Sequence, residues 1–153
     1  MFRVYSATFE AVTVSAAQDF FELNAPATGA CVLLSASIGQ YSDPGDAEAE
    51  MLRMQIRRST GTSGSGGSTV TARPHEVLLA VFPGTVDANN TTVATTTTVV
   101  RAETWNAQVG WLYQPTPEER LTVAPSGRLV ISLPAAPADA LSMSGTMTFA
   151  FLG

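Results

Sequence analysis

The stretch Glu50–Thr60, EMLRMQIRRST, decides between a helical and an all-β interpretation of the chain. Within it, Leu52, Met54 and Ile56 recur at every second position. This alternation places the three side chains on one face of a β-strand, whereas a helix would spread them around its axis. We therefore predict a strand here, with the intervening polar residues on its solvent-exposed face.

The competing interpretation is a helix through SDPGDAEAEMLRMQIRRS, residues 42–59. Pro44 near the first turn, acidic residues early and arginines late would all suit a helix and its dipole. The sequence leaves open whether Asp43–Glu50 is a turn leading into a strand or a short helix. Its carboxylates lack the spaced oxygen ligands and closing glutamate of a calcium-binding loop. We therefore predict no bound metal.

Alternating segments recur on both sides of this stretch. They include FRVYSATF and AVTVS near the start and LSMSGTMTFAFLG at the end. The β-branched run TTTTVV, 95–100, favours an extended backbone, and Pro125-Ser126-Gly127 indicates a turn. About nine or ten strands separated by such turns predict an all-β fold. We predict a single domain over residues 1–153, a β-sandwich of the jelly-roll type.

Composition excludes several functional classes. The chain has 153 residues, enough for one domain with its own core, and a net charge of −5. Proteins that bind phosphate backbones carry an excess of clustered basic side chains, so we do not expect a nucleic-acid partner. No segment has the continuous apolar stretch of a secretory signal or a membrane span. We expect a soluble protein with no membrane partner.

The Gly/Ser/Thr run between residues 59 and 69 does not fit a phosphate-binding loop. A Walker-type loop needs a lysine, and all eight basic side chains of this chain are arginines. The glycines are followed by the strand-like TVTARP, not by the helix of a dinucleotide-binding unit. We predict a long flexible loop joining strands of one domain.

The residues suited to catalysis are isolated in the sequence. His75 is the only imidazole, and Cys31 lies alone in an apolar run, as a buried thiol would. Glu118 and Glu119 are adjacent, so on a strand they would point to opposite faces, and a solvated turn explains them better. We predict no enzymatic activity, no cofactor and no small-molecule substrate.

The C-terminal half of the chain resembles small all-β virion proteins of tailed bacteriophages, of the jelly-roll head-decoration (cement) type. The resemblance lies in GWLYQPTPEER, VAPSGRLVISL and SGTMTFAFL, with SDPGDAEAEMLRMQIRR and GSGGSTVTARP agreeing with it. It implies a homotrimer on the capsid exterior, assembled in the host bacterial cytoplasm, whose partner is the phage major capsid protein. It implies no catalytic residues.

On this interpretation, contacts are expected from an extended N-terminal arm, residues 1–10, and from the loop 59–69. The interaction residues predicted from the sequence are Phe2, Tyr5, Phe9, Ser63, Gly66, Trp105 and Trp111. One alternative is a receptor- or glycan-binding module of a phage tail fibre or tip, with the two tryptophans stacking on sugars, although aromatic residues of β-sandwiches more often fill the core or a subunit contact. Another is a cell-surface sandwich domain, which the missing export signal disfavours.

Overall fold

A computed structural model describes residues 2–42, 50–78 and 80–153. Over these ranges the chain forms twelve β-strands and one short 3-10 helix, Pro117–Glu119. The strands are β1 (Phe2–Val14), β2 (Gln18–Asn24), β3 (Ala30–Ser42), β4 (Met51–Ser59), β5 (Ser68–Val70), β6 (Arg73–Pro74), β7 (Thr85–Asn90), β8 (Thr97–Asn106), β9 (Trp111–Tyr113), β10 (Thr122–Val123), β11 (Arg128–Leu133) and β12 (Leu141–Leu152). The predicted all-β class is confirmed.

The strands form two antiparallel six-stranded sheets that enclose a common core. Sheet A has the order β10-β3-β12-β1-β6, with β9 pairing beside β10 on the same edge of β3. Sheet B has the order β5-β7-β2-β11-β4-β8. This arrangement confirms a β-sandwich, while the jelly-roll connectivity stays a prediction.

The disputed stretch is a strand wherever the structure describes it. In β4, Leu52, Met54 and Ile56 are buried in the core and Arg53 between them is exposed. β4 pairs with β11 on one side and β8 on the other, so its backbone groups are satisfied within sheet B. Residues 43–49, to which the turn-or-helix question and the rejected calcium loop belong, lie outside the described residues.

The N-terminal residues are an inner strand, so the prediction of an extended arm over 1–10 is wrong for the described residues 2–10. β1 lies between β12 and β6, and its pairing with β12 begins at Phe2. Tyr5 and Phe9 are 0% and 6% exposed. The apolar alternation that suggested contact residues marks the face of β1 that covers the core, because an inner strand must bury one face.

An aromatic cluster fills the space between the sheets. The Phe9 ring stacks on Phe20 at 6.0 Å and lies 5.2 Å from Phe21, which joins sheet A to sheet B. Beside it Gly145 on β12 leaves the space that the Phe9 ring occupies, since a Cβ there would come within 2.8 Å of the ring. Phe9 is therefore a central contact between the two layers.

The turn at Pro125-Ser126-Gly127 forms as predicted, with the Gly127 amide donating to Ala124 O at 2.8 Å. It does not close a hairpin, however. β10 before it belongs to sheet A and β11 after it belongs to sheet B. The turn carries the chain across the sandwich, a connection that local sequence cannot distinguish from a hairpin.

Replacing Phe9 tests its placement in the core. Phe9→Ala should lower the free energy of unfolding by about 3–5 kcal/mol, because it removes a buried ring between the sheets. The matched change Thr8→Ala, on the exposed face of the same strand, should stay within about 0.5 kcal/mol of wild type. Urea denaturation measures both. Equal, small effects would mean that residues 2–10 are not part of the core.

Candidate interaction surfaces

A buried carboxylate on β2 holds the Gly/Ser loop against the outer face of sheet B. Glu22 is 0% exposed. Its Oε2 accepts a hydrogen bond from Ser63 Oγ at 2.5 Å, and the Gly64 amide donates to both carboxylate oxygens at 3.0 and 3.1 Å. Asn90 Nδ2 donates to Oε1 at 2.9 Å. A buried carboxylate is stable only when donors surround it, and the loop supplies two of them.

Further hydrogen bonds fix the start of the same loop. Arg128 Nη1 donates to Gly61 O at 2.8 Å, and the Thr62 amide donates to Thr95 Oγ1 at 2.9 Å. The prediction of a flexible loop at 59–69 therefore needs correction. Its glycines and serines serve close contact with sheet B and the neighbouring loop, so the run is an ordered cover of the sheet.

Gly64 shows why small residues occur here. A Cβ at this position would overlap Thr92 O and Glu22 Oε1, so a larger residue would push the loop away from the carboxylate. Gly66 has a φ of 90°, in the left-handed region that favours glycine. Of the two predicted loop contact residues, Ser63 thus has its hydroxyl committed to Glu22, and Gly66 shapes an exposed turn.

A second buried carboxylate lies near the first. Asp19 is 1% exposed, and its Oδ2 accepts a hydrogen bond from the Ala94 amide at 2.7 Å. Burial raises the pKa of Asp19 to about 6, the negative charge of Glu22 adds to the increase, and the Ala94 amide opposes it. Both loops that cover sheet B, around residues 61–64 and 92–95, are therefore anchored on carboxylates of one strand.

The predicted N-terminal contact residues lie mainly inside the molecule. The Tyr5 ring is in the core, and its hydroxyl donates to Ala80 O at 2.8 Å. Phe9 is the inter-sheet contact described above, and Phe2 begins β1 with backbone pairing to Leu152. Tyr5 and Phe9 are therefore corrected from contact residues to core residues.

Trp105 and Trp111 close one lateral edge of the sandwich. Each is only 5% exposed. Trp111 Nε1 on β9 donates to Glu103 Oε2 on β8 at 2.7 Å, which links the edges of the two sheets. Sugar stacking needs an accessible ring face, so the prediction that these tryptophans form a glycan platform or a contact surface is wrong for the folded chain.

The groups considered for catalysis have structural environments. Cys31 is buried, as predicted, and burial raises the pKa of its thiol to about 12. His75 directly follows the edge strand β6, where its Nε2 lies 2.7 Å from Ser6 Oγ on an exposed face. Glu118 and Glu119 are exposed on the short 3-10 helix, which confirms the predicted solvated turn.

Large apolar side chains are exposed on the two lateral edges of the sandwich. On the edge formed by β5 and β6, the segment after β6 exposes Val77, Leu78 and Val81 at 91%, 99% and 77%. On the opposite edge, β8 and β9 expose Val99 and Leu112 at 47% and 64%. The apolar run EVLLAVFPG was the available signal for the first group, but sequence alone did not show that it lies outside the core.

Concave features of the described residues include one on the outer face of sheet A and one at its β10 edge. A groove of about 480 Å³ lies beside the β-bulge of β1, lined by Thr8, Glu10, Ser37, Tyr41 and Ser144 among others. A smaller cleft of about 130 Å³ opens between β10 and the strands β4 and β11. The first is mostly hydroxyl-lined, and the second has an apolar floor.

Comparison with protein families, curated proteins and solved structures gives no match for this chain. Within residues 2–42, 50–78 and 80–153, there is no group of three or more His, Cys, Asp and Glu side chains placed to hold a metal ion. The same ranges contain no helix with the length and hydropathy needed to cross a membrane.

Replacing Glu22 should release the loop. Glu22→Gln puts an NH₂ group among three donors, so we expect the free energy of unfolding to fall by about 2–4 kcal/mol. The Gly64 amide should also exchange with solvent faster, measured by hydrogen exchange. Glu10→Gln, an exposed change on β1, is the control. Unchanged Gly64 exchange in Glu22→Gln would contradict the anchoring role.

The raised pKa of Asp19 makes stability depend on pH. The folded state binds this proton more tightly than the unfolded chain, whose aspartate has a pKa near 3.8. The free energy of unfolding should therefore fall as pH rises from about 4 to about 6, by on the order of 3 kcal/mol from this group. Asp19→Asn should remove that decline in pH-dependent urea unfolding. The exposed control Asp139→Asn should keep it, and a decline that persists in Asp19→Asn would refute the assignment.

Proposed function

We propose that this protein is a non-enzymatic assembly subunit that works by docking its surface against other protein subunits. The observation that carries the proposal is the exposure of large apolar side chains on both lateral edges of a well-packed sandwich. Contiguous exposed apolar patches mark interaction sites in soluble proteins, and Val77, Leu78 and Val81 form one such group along the chain. Leu78, at 99% exposure, is the clearest case.

In its most specific form, the proposal is a trimeric decoration protein bound to the major capsid protein of a tailed phage. The resemblance in the C-terminal half supports this form. The segments that carry it, around β9, β11 and β12, contribute strands to both sheets, so they belong to the body of the domain. The proposed location is the capsid exterior.

Such a subunit would stabilise a shell by making the same contact many times. One contact with a capsid subunit would bury an interface of order 1,000 Å² or more. A trimer presents three copies of the same contact, so binding of one favours binding of the others through high local concentration. Contacts of modest strength, repeated over a shell, would then resist its expansion.

The sandwich suits this role because its sheets are internally braced. Glu22 fixes the covering loops to sheet B, and the Trp111–Glu103 hydrogen bond ties the edges of the two sheets together. A rigid subunit loses little conformational entropy when it docks, so more of its contact energy is retained as affinity.

Receptor or glycan binding at a tail fibre or tip is the second candidate, and one observation favours it. The groove on the outer face of sheet A is lined by hydroxyl groups and one carboxylate, with Tyr41 exposed at 73% beside them. Hydroxyl groups, a carboxylate and an accessible aromatic ring are suited to a sugar. The tryptophans would have no part in it.

Mass spectrometry of intact virions separates the two candidates. If the chain decorates the capsid, virions of the phage that carries it should contain it in hundreds of copies, on the scale of the major capsid protein. A handful of copies per virion, together with glycan-array binding that Tyr41→Ala abolishes, would replace the decoration role with the fibre role. Absence from virions would overturn both.

A further inference from the structure

We infer that copies of this chain associate head to tail, with the exposed Leu78 of one copy inserted into the cleft between β4, β10 and β11 of the next. This inference rests on the proposed assembly function and names the partner of the exposed edge. The two complementary surfaces lie on opposite edges of the same molecule, so a single chain cannot bring them together.

The residues that follow Leu78 in the chain contact the core of the sandwich. Tyr5 hydroxyl donates to Ala80 O, and the buried Phe82 ring packs at 4.8 Å on Phe149, which fixes the base of the segment. Above this base, Leu78 is 99% exposed with a φ of 70°, a conformation that leucine rarely adopts. Leu78 therefore presents its whole apolar side chain to solvent.

The cleft between β4, β10 and β11 matches the Leu78 side chain in size and polarity. Val123 and Leu129 contribute buried apolar surface to the cleft, whose volume is about 130 Å³. That volume is close to the roughly 150 Å³ cavity known to hold a small apolar group in a protein core. One leucine side chain would therefore fill the cleft.

Charge favours the same pairing. Glu76 lies two residues before Leu78 and is exposed, while Arg58 is exposed where it lines the cleft. Neither side chain has an ion-pair partner among the described residues. Insertion of Leu78 would bring Glu76 near Arg58 of the next copy, so each contact would gain an opposite-charge pair.

The position of the two surfaces determines the type of assembly. β6 and β10 are the opposite edge strands of sheet A, four strand spacings or about 19 Å apart. Both lie toward the end of the sheet where β1 begins and β12 ends, as the strand register shows. A contact between two different patches is heterologous, so repeated copies form a closed ring or an open chain, never an isolated two-fold dimer.

Sedimentation of the purified chain tests the contact. Wild type should self-associate reversibly, and Leu78→Asp should weaken association by at least about 30-fold, as loss of a central apolar anchor does. Val109→Asp changes a residue that is 84% exposed beyond the far end of β8, and it should associate like wild type. A monomeric wild type, or association unaffected by Leu78→Asp, would overturn the inference.

Two further variants test the pairing itself. Glu76→Arg and Arg58→Glu should each weaken association, and the double variant should recover it. Leu78→Cys and Thr122→Cys should form a disulfide only when the two proteins are mixed, since buried Cys31 does not take part. Disulfide dimers of Leu78→Cys alone would indicate a two-fold contact and contradict the head-to-tail arrangement.

Failure of the Leu78 contact can be distinguished from failure of the proposed capsid role. A chain that associates through Leu78 but is absent from virions would refute the decoration role and leave this inference standing. An abundant virion protein whose self-association is insensitive to Leu78→Asp would refute this inference and leave the decoration role standing.

Discussion

The covering of sheet B depends on one constraint, that the buried Glu22 carboxylate must be surrounded by hydrogen-bond donors. The Gly64 amide, Ser63 and Asn90 meet it, and they do so only if the Gly/Ser run lies flat on the sheet. The neighbouring loop is held in the same way through Asp19 and the Ala94 amide. The middle of sheet B is thereby covered by these loops, while Val77, Leu78 and Val81 stay exposed at the β5–β6 edge.

This difference between the covered middle of sheet B and the exposed edges connects the fold to the proposed function. The edge strands of a sheet can pair with other chains, and native proteins cover or block the edges that must stay unpaired. Here the edge at β8 and β9 is partly protected, because Glu103 and Trp111 tie the two sheets together there. The segment after β6 has no such cover within the described residues, and Leu78 projects from it into solvent. A subunit that joins others through its edges needs this combination of a braced body and an exposed contact.

The strands were predictable from the sequence because their signal is local. Leu52, Met54 and Ile56 alternate, and the alternation alone identified β4. Features that depend on distant contacts were not predictable: the arm assigned to residues 1–10 is an inner strand because β12, at the other end of the chain, pairs with it. The Gly/Ser run was assigned as flexible because its partner, Glu22, lies some forty residues earlier. The position of Glu22 inside the apolar run DFFELN was the available signal for a buried carboxylate. The residues that donate hydrogen bonds to it could not be identified from the sequence.

Hydrogen–deuterium exchange, comparing the isolated chain with the chain in its native assembly, tests the central claim most directly. If the edges are the working surface, residues 75–78 and the cleft around residues 58–60 and 122–124 should become protected on assembly. The loop at 61–64, already held by Glu22, should change little. Protection confined to the groove around Tyr41, or no difference anywhere along the edges, would contradict the account.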